Sequence, residues 1–293
     1  DIANRREVTR LEDKVIERAV LSPNGQQVAL VTRSQVQGGG PLWVVNLDGT
    51  DLRPLVSDVI ARQLLWSPNS HLIFYDLEGD EWTGIERVDV ASGERQRILT
   101  VESPTFLHIL GWSAGGQWLY YICPASEGDE LWKLRHDGSS SQLIISLGTG
   151  YTAGPLSPSG SKILLYARED LGWISTDGRE RGDIRLPQPT EIYQAVWGKG
   201  ENEVIVGQVR ESLYHVYAIN IQSQQVQELA TFDIPAGPGW DQLSLSSDHH
   251  WLMSHIYQAG HYWIHLPTGT IIPVSCQEYG VQFIAWIPKG AGQ

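Results

Sequence analysis

Residues 111–115, Gly-Trp-Ser-Ala-Gly, satisfy the G-x-S-x-G pattern of a hydrolase nucleophile elbow. That elbow is a strained strand-to-helix turn that lifts the serine hydroxyl clear of its sheet. Ser113, however, is followed by a run that reads as a strand, Gln117 to Ile122. It also falls in register with Ser22, Ser67, Ser157 and Ser246. The expected role of Ser113 is therefore a repeated turn, and the chain is expected not to be an enzyme.

Histidine offers a second chemistry. His249, His250, His255, His261 and His265 are five of the nine in the chain. His255 and His261 flank a hairpin and can approach each other across strands. A zinc site needs three or four convergent ligands, and His249 and His250 fall at the opposite end of that hairpin. Surface and cross-strand histidines are expected rather than a metal centre. Asp48, Asp137 and Asp177 each precede glycine, but none has the D-x-[DN]-x-[DN]-G spacing of a calcium loop. Carboxylates that cap their own turns are expected there, and no cofactor is expected.

The phrase that holds Ser113 organises the whole chain. Leu21-Ser22-Pro23-Asn24-Gly25 returns at Trp66, Trp112, Leu156, Trp197, Leu245 and Trp286, in steps of 45, 46, 44, 41, 48 and 41 residues. A constant period in the forties marks a repeat architecture. Within each period a strand ends in Trp or Leu, a Ser-Pro-Asn-Gly-like turn follows, and three more short strands complete the unit. Proline presets φ, and Asn-Gly accepts the positive φ of a tight hairpin. Runs of four to eight residues rich in Val, Ile, Tyr and Trp between such turns are strands. Four antiparallel strands per period predict an all-β fold, a β-propeller of four-stranded blades.

The predicted layout is one propeller domain over 1–293. Residues 1–14 form a strand or short helix at the ring closure, 15–275 six repeats, and 276–293 a closing inner strand and tail. Six full units are visible, with seven first strands, because Val281 to Trp286 opens a unit that stops. Seven blades are favoured over six. The short N-terminal segment can supply only one strand to the last blade, which predicts an open edge between residues 6–11 and 281–287. Open edges attract strands, so a protein partner is expected at that seam.

Where each first strand begins, four residues before its Trp or Leu, the repeats carry Glu17, Arg62, His108, Thr152, Tyr193, Asp241 and Gln282. Equivalent positions of a propeller meet at one mouth of its channel. Seven polar groups there describe either a hydrated rim or a ligand or partner site. The large residues at the strand ends are expected to pack blade against blade.

The repeats, "WSPdG" followed by strands such as Leu42-Trp43-Val44-Val45-Asn46-Leu47-Asp48-Gly49, resemble the propeller of the TolB family and the related WD-type (WD40-like) repeats, over roughly residues 15–290. The resemblance implies a non-enzymatic scaffold or accessory subunit that binds proteins through one face, outside the cytoplasm in the cell envelope. The alternative is a small-ligand-binding or hydrolytic propeller that uses the channel mouth. Glu17 and Asp241 are the only carboxylates in that ring, too few for the metal-bearing hydrolases of this fold.

Bulk properties narrow the field. The 293 residues carry 21 basic and 34 acidic side chains, a net charge of −13. Nucleic-acid binders need a basic footprint, so no nucleic-acid partner is expected. No apolar run reaches the ~18 residues of a transmembrane helix. Cys123 and Cys276 are predicted to lie in different repeats, too far apart to bridge. The chain begins at Asp1, as a processed or fragmentary chain would.

Overall fold

The turn that follows each first strand builds the hairpin from its own side chains. In the first copy, the Ser22 amide donates to the Gln27 carbonyl at 2.8 Å, and the Gln27 amide donates to Ser22 Oγ at 2.9 Å. Ser22 Oγ in turn donates to Asn24 Oδ1 at 2.7 Å, and Gly25 closes the turn at φ 70°. A serine with an Asx residue two positions later thus holds the local turn while its oxygen catches the returning strand. The same bonds recur at Ser67 with Asn69 and Leu72, and at Ser246 with Asp248 and Trp251.

The computed structural model describes residues 9, 15–33, 40–57, 61, 63–78, 81–102, 106–167, 169–187, 192–210, 212–234, 241–246, 248–256 and 260–274. The first sheet holds β1 (Ile16–Leu21), β2 (Gln27–Thr32), β3 (Leu42–Asn46) and β4 (Arg53–Val56). The second holds β5 (Leu64–Trp66), β6 (Leu72–Glu78), β7 (Thr83–Asp89) and β8 (Arg95–Val101). The third holds β9 (His108–Trp112), β10 (Trp118–Ala125), β11 (Gly128–Arg135) and β12 (Ser141–Gly148). The fourth holds β13 (Thr152–Leu156), β14 (Lys162–Tyr166), β15 (Leu171–Ser175) and β16 (Arg181–Ile184). The fifth holds β17 (Ile192–Trp197), β18 (Glu203–Arg210), β19 (Leu213–Asn220) and β20 (Val226–Asp233). The sixth holds β21 (Asp241–Leu245), β22 (Trp251–Ile256), β23 (Gly260–His265) and β24 (Thr270–Val274). Every sheet is a meander in chain order, so the six predicted repeats appear as six four-stranded antiparallel blades. The seventh unit and the seam, residues 6–11 and 281–287, lie outside the described residues, apart from residue 9.

The described chain separates into two compact units. The first runs to Ile109 and includes Arg135–Ser140; the second holds Leu110–Leu134 and continues from Ser141. In each unit the core lies between consecutive sheets. In the first, Val31, Leu42, Val44, Ile73, Tyr75 and Trp66 form one buried cluster. Trp66 is 2% exposed, and its Nε1 donates to the Val20 carbonyl at 2.9 Å. In the second, Trp197 packs with Leu164, Ile184 and Val204, and its Nε1 donates to the Pro155 carbonyl at 2.9 Å. Both tryptophans therefore join one blade to the preceding one, as their repeat position predicts. Burying such a ring contributes roughly 3 kcal/mol, and the indole bond adds about 1 kcal/mol and fixes the ring's orientation.

Candidate functional site

Some strands that carry the ring positions are neighbours. β1 lies beside β5 in the first unit, and β13, β17 and β21 lie side by side in the second. Thr152, Tyr193 and Asp241 thus occupy matching positions on three adjacent strands. Thr152 is exposed. In the first unit, Glu17 pairs with Arg33 at 3.4 Å, with Arg33 largely in solvent and Glu17 half-buried. His108 Nδ1 meets the Gln63 side-chain amide, and Gln63 Oε1 also accepts the Ile109 amide at 2.5 Å. The Gln63 amide donates to the buried Asp76 carboxylate at 2.7 Å. Gln63 is thus the polar link between β6 and β9, a role that the repeat pattern did not single out. Arg62 and Gln282 lie outside the described residues.

Ser113 stands in its repeat turn. Its oxygen accepts the Trp118 amide at 3.1 Å, its amide donates to the Trp118 carbonyl at 2.9 Å, and the strand β10 follows. The backbone geometry is that of Ser22, Ser67, Ser157 and Ser246, not of an elbow that leads into a helix. His255 and His261 are cross-strand partners with ring centroids 4.2 Å apart. Burial holds both imidazoles below their usual pKa. Among the described residues, no three His, Cys, Asp or Glu side chains converge as a metal site. Asp48, Asp137 and Asp177 each accept the backbone amide two residues on, at 2.9, 3.0 and 3.1 Å. The hydrogen bonds from Ser139 hold the Asp137 carboxyl at about 2. These aspartates cap their own turns.

A concavity of about 860 Å³ lies within the second unit, between β12 and the sheet that follows it. The sheets on its two sides differ in strand length. β10, β11 and β12 have eight residues each, whereas β13 to β16 have five, five, five and four. Ile145 and Leu147 form one wall. Leu165, Gly172, Arg181 and Asp183 form the other. Gly172 opposes Asp183 in the β15–β16 register, and a Cβ at Gly172 would come within 2.9 Å of the Gly182 carbonyl oxygen. Glycine there lets the β16 backbone approach closely. At the rim, Tyr151 donates to Asp170 at 3.2 Å, and Arg185, Glu169 and Asp183 are exposed. The negative charge of Asp170 raises the Tyr151 phenol pKa. An aliphatic wall rimmed by charges of both signs suits a side-chain-bearing partner better than one small ion.

No protein-family model matches the chain. A stretch of 151 residues is 24% identical to the uncharacterized protein Atu1656 of Agrobacterium fabrum, covering 50% of this chain and 49% of that protein. The chain therefore aligns with about half the length of that relative. Among solved structures, an oligogalacturonate lyase in complex with manganese superposes with TM-score 0.72 at 12% identity, over 92% of this chain and 79% of the lyase. TolB from Acinetobacter baumannii superposes with TM-score 0.61 at 12% identity, over 87% of this chain and 65% of TolB. The Cps50 (Swd1) β-propeller domain of Myceliophteria thermophila reaches TM-score 0.65 at 13% identity, over 96% and 93%. At such identities the likeness establishes architecture alone. The chain is an all-β protein with the β-propeller fold, similar at the level of fold to TolB and to other propellers of four-stranded blades.

Proposed function

We propose that this chain is a protein-binding propeller, a scaffold or accessory subunit of a larger cell-envelope assembly, without enzymatic activity of its own. One observation carries the reading: the open groove of the second unit, with one aliphatic wall and charges of both signs on the other wall and at the rim. Interfaces combine an apolar centre with a polar rim in this way. The TolB-like fold supports the same reading by analogy. The likeness to a lyase shows that this architecture also carries enzymes, so the test needs a small-ligand arm. An envelope location and a second contact at the seam, through a seventh and partly supplied blade, belong to the same proposal.

A photo-crosslinking residue placed at Asp183, in cells that make this chain, tests it. The expected result is a discrete polypeptide adduct, absent when the crosslinker stands at Ser139 in the first unit and weakened by Arg185→Glu. If no adduct forms and uronic-acid oligomers raise Tm in the purified protein, the ligand-binding alternative replaces the scaffold. Cell fractionation with the adduct in the cytosolic pool would remove the envelope assignment.

A further inference from the structure

The outermost strand of a propeller blade has an edge, and an unprotected edge recruits strands from other chains. Natural sheets guard such edges with charge, with proline, with bulges, or by keeping them short. Among the described residues, six strands stand outermost in their sheets. β4 carries Arg53 and Pro54; β8 carries Arg95 and Arg97; β16 is four residues long and carries Arg181 and Asp183. β20 carries Glu228 and Asp233, and β24 carries Pro273. β12, Ser-Gln-Leu-Ile-Ile-Ser-Leu-Gly, has neither charge nor proline in its eight residues. It ends the order of its sheet, and among the described residues no strand pairs beyond it. Leu143 is 46% exposed there. Two bulges, at Asp129/Glu130 and at Leu131/Trp132, interrupt the ladder between β11 and β12; the pairings of β4, β8 and β20 are bulged as well, so charge and proline are what set β12 apart.

The two faces of this edge are also prepared. Ile145 and Leu147 form the wall of the 860 Å³ groove. Leu143 stands across from Trp132, which stacks on Tyr121 with centroids 6.4 Å apart. An incoming strand with alternating apolar side chains would therefore set one row in the groove and the other beside Leu143. The chain carries a net charge of −13, which disfavours a second copy of itself and favours a basic segment.

We infer that residues 143–147 receive an extended segment of a partner protein as a fifth strand of the third sheet. The segment is apolar at alternate positions and flanked by Lys or Arg. This rests on the protein-binding reading above and names the partner's conformation. Main-chain hydrogen bonds supply the affinity in this mode, and alternate side-chain pockets supply selectivity.

The probe is a ten-residue peptide of alternating valine and threonine with two lysines at each end, added to the full chain. A twin peptide carries N-methyl groups on alternate central amides, which preserves charge and side chains and removes donors. The expected results are saturable binding, at least tenfold weaker binding of the twin, and slowed amide exchange over residues 143–147. Leu143→Lys, an exposed substitution, should weaken the probe at least tenfold and leave the Tm unchanged. Equal binding of the two peptides overturns strand addition while leaving a groove-bound partner intact. No binding above that of L143K overturns it as well. Full exchange protection of 143–147 in the chain alone means the edge is already covered, and a dimer that L143K dissociates makes a second copy the occupant; either result overturns the inference. Failure of the Asp183 crosslink, by contrast, bears on the protein-binding reading itself.

Discussion

At the scale of single residues, the buried charge on the second sheet shows how the polar exceptions are held. Glu86 is 6% exposed. It accepts Tyr75 Oη at 2.9 Å, Arg95 NH2 at 2.7 Å and Arg97 NH2 at 3.2 Å, while the Arg97 guanidinium lies 4.0 Å over the Trp82 ring. Burial alone would raise the Glu86 pKa; the hydrogen bonds from Arg95, Tyr75 and Arg97 outweigh it and hold the carboxyl below its usual range. A carboxylate depressed in the folded state stabilises above its unfolded pKa, and that stability is lost as pH falls through the folded value. Glu86→Ala should cost about 2 kcal/mol at pH 7. The difference between wild type and E86A in urea unfolding should shrink as the pH is lowered below 4.5. The imidazoles of His255 and His261 titrate with the opposite charge. Their folded pKa values are lowered by burial, so the unfolded chain binds protons first as the pH drops below 6.5, and folding weakens there. A His255→Gln, His261→Gln double variant should therefore lose less Tm than wild type between pH 7 and pH 5. For Ser113 the expectation is structural: Ser113→Ala and Ser157→Ala should each cost about 1 kcal/mol, and a fluorophosphonate should label neither the wild type nor the variants. Labelling that vanishes in S113A would restore the nucleophile.

At the scale of elements, neighbouring blades are joined by repeated contacts between their turns and strand ends. The Ser159 amide and the Ser161 hydroxyl donate to Glu201 at 2.7 and 2.8 Å, and Lys162 Nζ donates to the Glu201 carbonyl at 3.0 Å. Gln224 accepts the Arg185 amide at 2.7 Å and donates to the Asp183 carbonyl at 3.1 Å. Backbone also approaches side chain closely. A Cβ at Gly207 would stand 2.0 Å from the Tyr214 hydroxyl, which Ser254 Oγ also meets at 3.2 Å in the buried interior. Gly207→Ala must displace that ring, and the cost should be about 1–3 kcal/mol, read from denaturant midpoints at unchanged m. Trp197→Phe, which keeps an aromatic ring but loses the bond to Pro155, should cost less, about 1 kcal/mol. If W197F equals G207A in cost, the indole fills space that phenylalanine cannot.

At the scale of the whole molecule, the charge of −13 sets how partners arrive. Attraction between exposed charges fades beyond a Debye length of about 10 Å at 0.1 M salt. Association with a basic partner should therefore slow roughly tenfold between 50 and 500 mM salt while dissociation changes little. Stopped-flow binding of the lysine-flanked peptide measures both rates. A salt-independent on-rate would mean that the rim charges of both signs, rather than the net charge, govern the encounter.

The repeat was legible because each hairpin is local. Ser, Pro, Asn and Gly at constant offsets encode a turn closed within six residues, so four-stranded blades and the blade-to-blade place of Trp66 and Trp197 follow from spacing alone. Ser113 was legible as a turn for the same reason. The Gln63 link between Asp76 and His108 was not, because it depends on which side chain reaches across to the next sheet. The groove was equally hidden. It lies between the third and fourth sheets, and its lining is drawn from both, so it acquires meaning only when two sheets face each other. Local order along the chain determined the blades; the fit of one blade against the next, which no single repeat contains, decided where the groove lies.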